Sequence, residues 1–498
     1  MKLVLLNILF AFFAVSATNA QTVTINDNCK QAYNKIIALQ FNDARKLIDK
    51  EKINNPNNLY TVYLENSIDF LTLFMDENEA WYDEISDRED ERLELLDNLP
   101  DSSPYKKYLQ ANINLQWAIA KLKFHDYFSS ALGIRRSYLL VIENREAFPQ
   151  FKPQLITLGV LHIIIGMVPD QYQWILSLIS MEGTVPQGEQ ELYSMLAETD
   201  SNSNLQYLKP EVLFYLGFIE MNLGLDSVKK QDLLTQLTPY AHGNLMLTFL
   251  QVNMYARSGN NDRALQLLDS ALMWKGYYPF YYLHYLKGTY RLRKLDTGAK
   301  NDFRYYAYHY PGVNFIKDAW RQAGWSYLLQ GDTTNYFAMM TKVLQQGVTD
   351  VDADKEAEKE ARLGTVPNIT LLKVRLLFDG GYNRQARLLL TSADTTGYSA
   401  DEKLERWYRL GRIEQKSNQF KAAENYYVKT IAYGKSSKRY FAGNAALQLG
   451  NMFEMEKNYP MALKYYRICR NLDFDEYETS IKDKAKQGIN RIEAVKQP

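Results

Sequence analysis

From Leu213 to the C-terminus, apolar and small residues return with a helical period, and the pattern as a whole repeats. With Trp320 as the fourth position of a unit, the equivalent residues are Leu213, Thr248, Leu283, Thr370, Trp407 and Ala446, at successive intervals of 35, 35, 37, 50, 37 and 39 residues. Self-similarity at such a period marks a stacked helical array. The eighth position carries Gly217, Gly324, Gly411 and Gly450 in four units, with Val252, Lys287 and Val374 in the others. The twentieth carries Ala264, Ala299, Ala386, Ala423 and Ala462, with Lys229 and Tyr336 as exceptions. Small residues at these points predict two antiparallel helices crossing at close range. The twenty-fourth position is large and apolar (Leu233, Leu268, Phe303, Met340, Leu390, Tyr427, Tyr466). It is expected to fill the layer between neighbouring units, because one helical hairpin cannot bury its apolar face alone. Lys229 and Lys287 interrupt the pattern, so the first and third units are the least regular.

Two copies are close to a known consensus. Trp320, Ala323, Gly324, Tyr327 and Gly331 fit the W-x2-L-G-x2-Y helix with Ala323 in place of Leu, and Trp407, Leu410, Gly411, Phe420, Ala423 and Tyr427 fit it again. Over about residues 209–472 the chain resembles a tetratricopeptide repeat protein of the exported bacterial type. The resemblance implies an all-α fold, a right-handed α-solenoid of stacked helix-turn-helix repeats. It also implies a concave groove lined by the first helix of each pair. The groove residues it singles out for binding are Arg291, Arg321, Trp325, Arg375, Tyr408 and Arg412. Phe214, Phe218, Phe249, Asn253, His284, Phe378 and Gln415 line the same face. The arginines suit two-pronged recognition of carboxylates, or else pair with neighbouring acids on exposed helices. The chaperone-binding clamp of this family is not matched, since its groove position holds Arg321, Tyr408 or Leu447.

The rest of the chain divides around that array. Residues 21–205 are helical by pattern with degenerate repeats: Phe41, Ala44, Ile48 and Pro56 fit one unit, and 117–134 suggests another. The acidic stretch 83–97 is expected to be a solvated helix face, and 100–104 a turn. Residues 155–168 are strongly apolar and resume at 174–181 after Pro169. Fourteen apolar residues fall short of the ~20 that span a bilayer, so a buried hairpin is expected. The array proper covers 206–473, with an insertion at 347–364 that accounts for the 50-residue interval. Within it, Asp350, Asp352 and Asp354 start like a calcium loop, but Lys355 stands where glycine is needed and Ala361 where glutamate is needed. An exposed charged helix with an acidic start is the expectation there. At the end, 474–498 places Ile481, Ala485, Ile489 and Ile492 on one face, as a capping helix would.

The first twenty residues carry one charge, Lys2, then an apolar run and small residues up to Ala20. This is the form of a secretory signal peptide. No cysteine stands at a lipoprotein cleavage position, so a soluble, exported protein of the periplasm or outer envelope is expected, with no lipid anchor and no membrane span in the mature chain. Cys29 and Cys469 are the only cysteines, and Cys469, at a packed repeat position, is expected as a buried thiol. The 58 basic residues balance 58 acidic ones, which argues against nucleic acid as the main partner.

No constellation for catalysis, cofactor or metal emerges. The five histidines are scattered without a His-Glu-x-x-His motif, and Gly434-Lys435-Ser436 lacks the upstream glycine of a phosphate loop, where Lys429 stands. His162, among Leu161, Ile163 and Ile164, fits a hydrogen-bonded core histidine. The expected function is a non-enzymatic scaffold that holds protein or peptide partners in its groove. The alternatives are a glycan or peptidoglycan binder using the tyrosine-rich segments 277–282 and 305–310, and a hydrolase with its site in the N-terminal half.

Overall fold

The structure, a computed structural model, describes residues 21–168, 181–223 and 227–496. The signal segment and most of the second half of the apolar hairpin lie outside the described residues. Among the described residues the fold is all-α, a solenoid of successive helix pairs, and the one β-bridge joins Thr22 to Asn58. Two compact units divide the chain: the first runs to Leu247 and includes Lys275–Tyr278, and the second comprises Thr248–Trp274 and the chain from Pro279 on. The helix pair at Lys209–Leu223 and Ser227–Ala241 thus falls in the first unit.

The first unit opens with α1 (Asp27–Ile37) and α2 (Phe41–Asn54), which pack together and bury Phe41, Ala44 and Ile48. Helices α3 (Tyr60–Asp76), α4 (Glu79–Ile85), α5 (Arg88–Asp97), α6 (Pro104–Lys123) and α7 (Tyr127–Ala147) follow. The acidic stretch in α4 and α5 is not a purely solvated face. Arg92 is buried and donates to Asp69 at 2.5 Å and Asn66 at 3.0 Å, and the buried Glu89 pairs with Lys121. Charge in that segment therefore ties α5 to α3 and α6, a role the amphipathic pattern alone does not reveal.

The apolar segment forms α8 (Gln154–Gly166), which lies against α9 (Val185–Ser201). Glycines make that contact possible: a β-carbon at Gly188 would stand 2.3 Å from the Gly159 carbonyl oxygen. His162 is 2 % exposed, its Nδ1 2.6 Å from Glu191. The pair α10 (Lys209–Leu223) and α11 (Ser227–Ala241) completes the unit's helices. In the first turn of α10, Glu211 is buried among Tyr33, Tyr63 and Tyr207, with Tyr33 donating a hydrogen bond to it. Burial pushes its carboxyl from 4.5 up to about 7, against the lowering effect of that hydrogen bond.

The second unit carries the repeats: α12 (Leu245–Arg257, which begins in the first unit), α13 (Asn261–Ala271), α14 (Tyr282–Arg293), α15 (Ala299–His309), α16 (Ile316–Leu328) and α17 (Thr333–Gln345). After α18 (Asp352–Leu363) come α19 (Ile369–Asp379), α20 (Asn383–Ser392), α21 (Ala400–Lys416), α22 (Phe420–Tyr433), α23 (Phe441–Met455), α24 (Tyr459–Asn471) and α25 (Glu478–Lys496). The five repeat alanines are fully buried. The large residue at the twenty-fourth position lies over the glycine of its own pair. A β-carbon at Gly411 would be 2.6 Å from the Tyr427 ring, one at Gly450 2.4 Å from Tyr466, and one at Gly324 2.9 Å from Met340. Tyr466 also meets Gly488 of α25, so it fills the layer to the next helix as well. In α14 the same device is shifted by one residue: Gly288 faces Phe303, while Lys287 turns to Asp269 at 2.7 Å. Ile481, Ala485, Ile489 and Ile492 of α25 are buried against the last pair.

The inserted helix α18 corrects the expectation of a fully exposed charged helix. Asp352 and Lys355 are exposed, but Asp354, Ala357 and Ala361 are buried. Phe315, at the N-terminal cap of α16, has a left-handed backbone (φ 61) and provides no side-chain cap. Asp354 takes that role from outside the helix, accepting the Phe315 N–H at 2.6 Å and the Asp318 N–H at 2.8 Å. Glu358 meets the buried Lys317 at 3.1 Å, and Lys317 also donates to the Val343 carbonyl at 2.8 Å. The insertion is thus bolted to the first turn of α16, and its aspartates do not converge as calcium ligands.

Three outcomes follow from this packing. Gly411→Ala should destabilise the fold by about 1–3 kcal/mol through overpacking against Tyr427, whereas Gly397→Ala, with nothing within 4 Å, should be close to neutral in urea unfolding. Asp354→Ala should cost about 1–2 kcal/mol as a lost cap, with Asp352→Ala as the neutral control in the same measurement. Because the folded Glu211 carboxyl is raised to about 7, its contribution is full below about 4.5 and is lost as pH rises through about 7. Stability should therefore fall between about pH 4.5 and about pH 7, by up to about 3 kcal/mol, seen as a falling melting temperature, and Glu211→Gln should flatten that part of the profile.

Candidate functional site

Within the second unit, first helices, the inserted helix and two loop segments enclose a cavity of about 420 Å³. Its walls come from Arg321 of α16, Glu356, Lys359 and Glu360 of α18, Arg375 of α19, and Asp401, Glu402 and Glu405 of α21. Arg439, Tyr440 and Phe441 at the start of α23 and Glu476 and Tyr477 before α25 close it. Six carboxylates face four basic side chains in this lining, so its field is mixed with an acidic bias.

Most of these charges are already engaged. Arg321 donates from Nε to Asp318 at 2.9 Å and lies 3.9 Å from Glu360. Lys359 and Arg439 both reach Glu476, at 3.4 and 3.2 Å. Glu402 accepts from the Ser399 N–H at 2.7 Å and from Asn368 at 2.9 Å, which also closes the capping box of α21. Burial works to raise the Glu405 carboxyl, but the charges of Arg409 and Arg375, with a 2.6 Å hydrogen bond from Arg409, hold it below the ordinary value. Among the described residues, Arg375 forms no hydrogen bond or ion pair; its guanidinium lies over the Trp325 ring, 4.5 Å from the centroid. The Arg321 guanidinium lies over the same ring at 4.7 Å, and Trp325 Nε1 donates to Glu360 at 2.7 Å.

The structure thus gathers three of the six residues singled out from the sequence: Arg321, Arg375 and Trp325. Arg291 is elsewhere, bracing its own turn through Asp296 at 2.8 Å and Asp302 at 2.7 Å. Tyr408 is buried and supports a wall from behind, its ring 5.4 Å from Phe441 and 5.6 Å from Tyr440. Arg412 donates to the Tyr408 hydroxyl at 3.1 Å and lies over Phe378, with its Nε buried and unbonded.

The lining residues that repeat arithmetic misses include Asp401, Glu402 and Glu405 early in α21 and, outside first helices, Glu356, Lys359, Glu360, Arg439, Tyr440, Glu476 and Tyr477. Glu356 and Glu360 do carry a signal, since four-residue spacing places both on one face of α18. Those before α23 and α25 carry none, because their positions depend on how the last repeats stack. A second cavity, of about 390 Å³ in the first unit, includes Asp69, but Arg88 and Arg92 already neutralise that group. Among the described residues, no group of three or more His, Cys, Asp or Glu is gathered as metal ligands, and no helix is long and apolar enough to cross a membrane.

No protein-family model matches the chain, and no curated protein matches it. Among solved structures it is similar to a monomeric mutant of IFIT1 with Gppp-AAAA, at 12% identity and a TM-score of 0.32, over 94% of this chain and 95% of that one. It is also similar to the human IFIT1 dimer with PPP-AAAA, at 12% identity and a TM-score of 0.28, over 97% of each chain. A likeness this distant carries neither ligand nor activity over to this chain.

Proposed function

We propose that this protein is a non-enzymatic scaffold of the tetratricopeptide type, exported to the periplasm or outer envelope as a soluble chain, that holds a protein or peptide partner in the cavity of its second unit. The observation that carries this reading is Arg375: a guanidinium on the cavity wall, backed by Trp325 and without an ion pair among the described residues. A fixed guanidinium over an aromatic ring offers a carboxylate two parallel hydrogen bonds at little ordering cost. Export rests on the signal-like first twenty residues.

Nucleic acid is a poor fit for the same cavity, because phosphates would meet six carboxylates. Of the tyrosines in the segments a glycan reading relies on, Tyr306 is buried while Tyr305 and Tyr308 are exposed; Tyr305 packs on His284 and His309, and Tyr308 meets Trp320 edge-on. The enzyme reading centred on the N-terminal half loses support at His162, which is buried and held by Glu191.

Arg375 is the informative residue to change, since Arg321→Glu would set a new carboxylate against Asp318 and Glu360. A photocrosslinking amino acid at Tyr477, which is 47% exposed on the cavity rim, should capture a defined set of proteins in the native cells. Arg375→Glu, at unchanged helicity, should reduce that capture about tenfold or more, as expected for one charge-assisted contact. A set unchanged by the substitution would sink the assignment of this cavity.

A further inference from the structure

We infer that the cavity takes an extended peptide segment carrying one acidic and one basic side chain, with the carboxylate set against Arg375 and the cation against Glu356. This deepens, and rests on, the peptide-binding reading above.

The cavity's charges sort themselves into spent and unspent. Arg321, Lys359 and Arg439 have carboxylate partners within the wall or behind it. Glu360 accepts from Trp325 and Tyr336, Glu402 from Ser399 and Asn368, Glu405 from Arg409, and Asp401 from Ser437. Two lining groups remain without a hydrogen bond or ion pair among the described residues, Arg375 and Glu356, and they are of opposite sign. Arg375 acts on Glu405 only through space, so a ligand carboxylate supplies the hydrogen bonds its guanidinium lacks, and a ligand cation does the same for Glu356.

Both charges act on one ring. Tyr477, edge-on to Tyr440 at 5.5 Å, has its hydroxyl raised first by burial and then by Glu356, while Arg321 and Arg375 oppose that shift. The two unspent groups therefore serve the same small volume. Tyr477 is also held at φ 54, in the left-handed region that non-glycine residues seldom adopt. The same backbone recurs at Phe315, where the chain enters α16, so it belongs to the entry into α25. The ring offers a flat contact in the same cavity lining.

Ligands of one sign fit less well. An all-acidic segment satisfies Arg375 but brings its other charges against six carboxylates, and an all-basic one leaves Arg375 unmatched beside Arg321 and Arg439. A cavity of about 420 Å³ lies in the range of small-ligand sites, about 300–1,000 Å³. It has room for a few side chains and not for a folded domain.

The test is to pan the full-length protein against a random hexapeptide library with both termini blocked, so that every charge comes from a side chain. The expected consensus pairs one Asp or Glu with one Lys or Arg. Glu356→Gln should relax the basic requirement alone and Arg375→Gln the acidic one alone, each weakening the wild-type consensus peptide about tenfold at unchanged helicity. A consensus of acids alone, or a basic preference that survives Glu356→Gln, would overturn the two-charge assignment and leave the peptide-binding reading standing. No enrichment of any sequence would overturn both.

Discussion

The fold rests on how closely two helices of a pair can approach. At Gly324, Gly411 and Gly450 of the first helices, the ring or thioether sixteen positions further on occupies the space a β-carbon would take. Tyr427 over Gly411 and Tyr466 over Gly450 are the tightest of these contacts, and the repeat alanines are buried in the same helix pairs. Dense packing of this kind tolerates little change in volume, so each pair behaves as a rigid unit. The regular stacking that follows keeps successive first helices in register, and this register brings Arg321 and Arg375 to one wall.

The insertion is what turns that wall into a cavity. Without α18 the first turn of α16 would have uncapped amides, because Phe315 enters with a left-handed backbone and no capping side chain. Asp354 satisfies two of those amides, and the same helix then delivers Glu356, Lys359 and Glu360 to the opening. One carboxylate thus couples local helix stability to the placement of the groups that face a ligand. Glu360 continues the coupling by accepting from Trp325, the ring over which both arginines lie.

The first unit solves its packing differently. Glu211 is buried among tyrosines with a tyrosine hydroxyl as its hydrogen-bond donor, where an ion pair would be the usual solution. Buried ion pairs do occur nearby: Arg92 with Asp69 and Lys121 with Glu89 hold α5 to its neighbours. Such groups read as surface charge in sequence, because composition records a charge but not the side chain that comes to meet it.

The sequence by itself determined the helical class, the pairing of helices and the sites where they touch, since these depend on spacing within one repeat. Gly324, Gly411 and Gly450 could be assigned without a structure, as could the buried alanines, because helix contact at short range admits few residue types. Tertiary structure decided which polar residues were free to act. Arg291, Arg321 and Arg375 occupy comparable first helices, yet Arg291 is held by Asp296 of the following turn and Asp302 of α15, Arg321 by Asp318, and Arg375 by no carboxylate among the described residues. That difference arises from long, flexible side chains choosing among acids brought near by folding. Tyr440, Glu476 and Tyr477 join the same cavity only because the last repeats and the final helix stack as they do. Spacing fixes contacts between neighbours along the chain, and only stacking fixes contacts between groups distant along it.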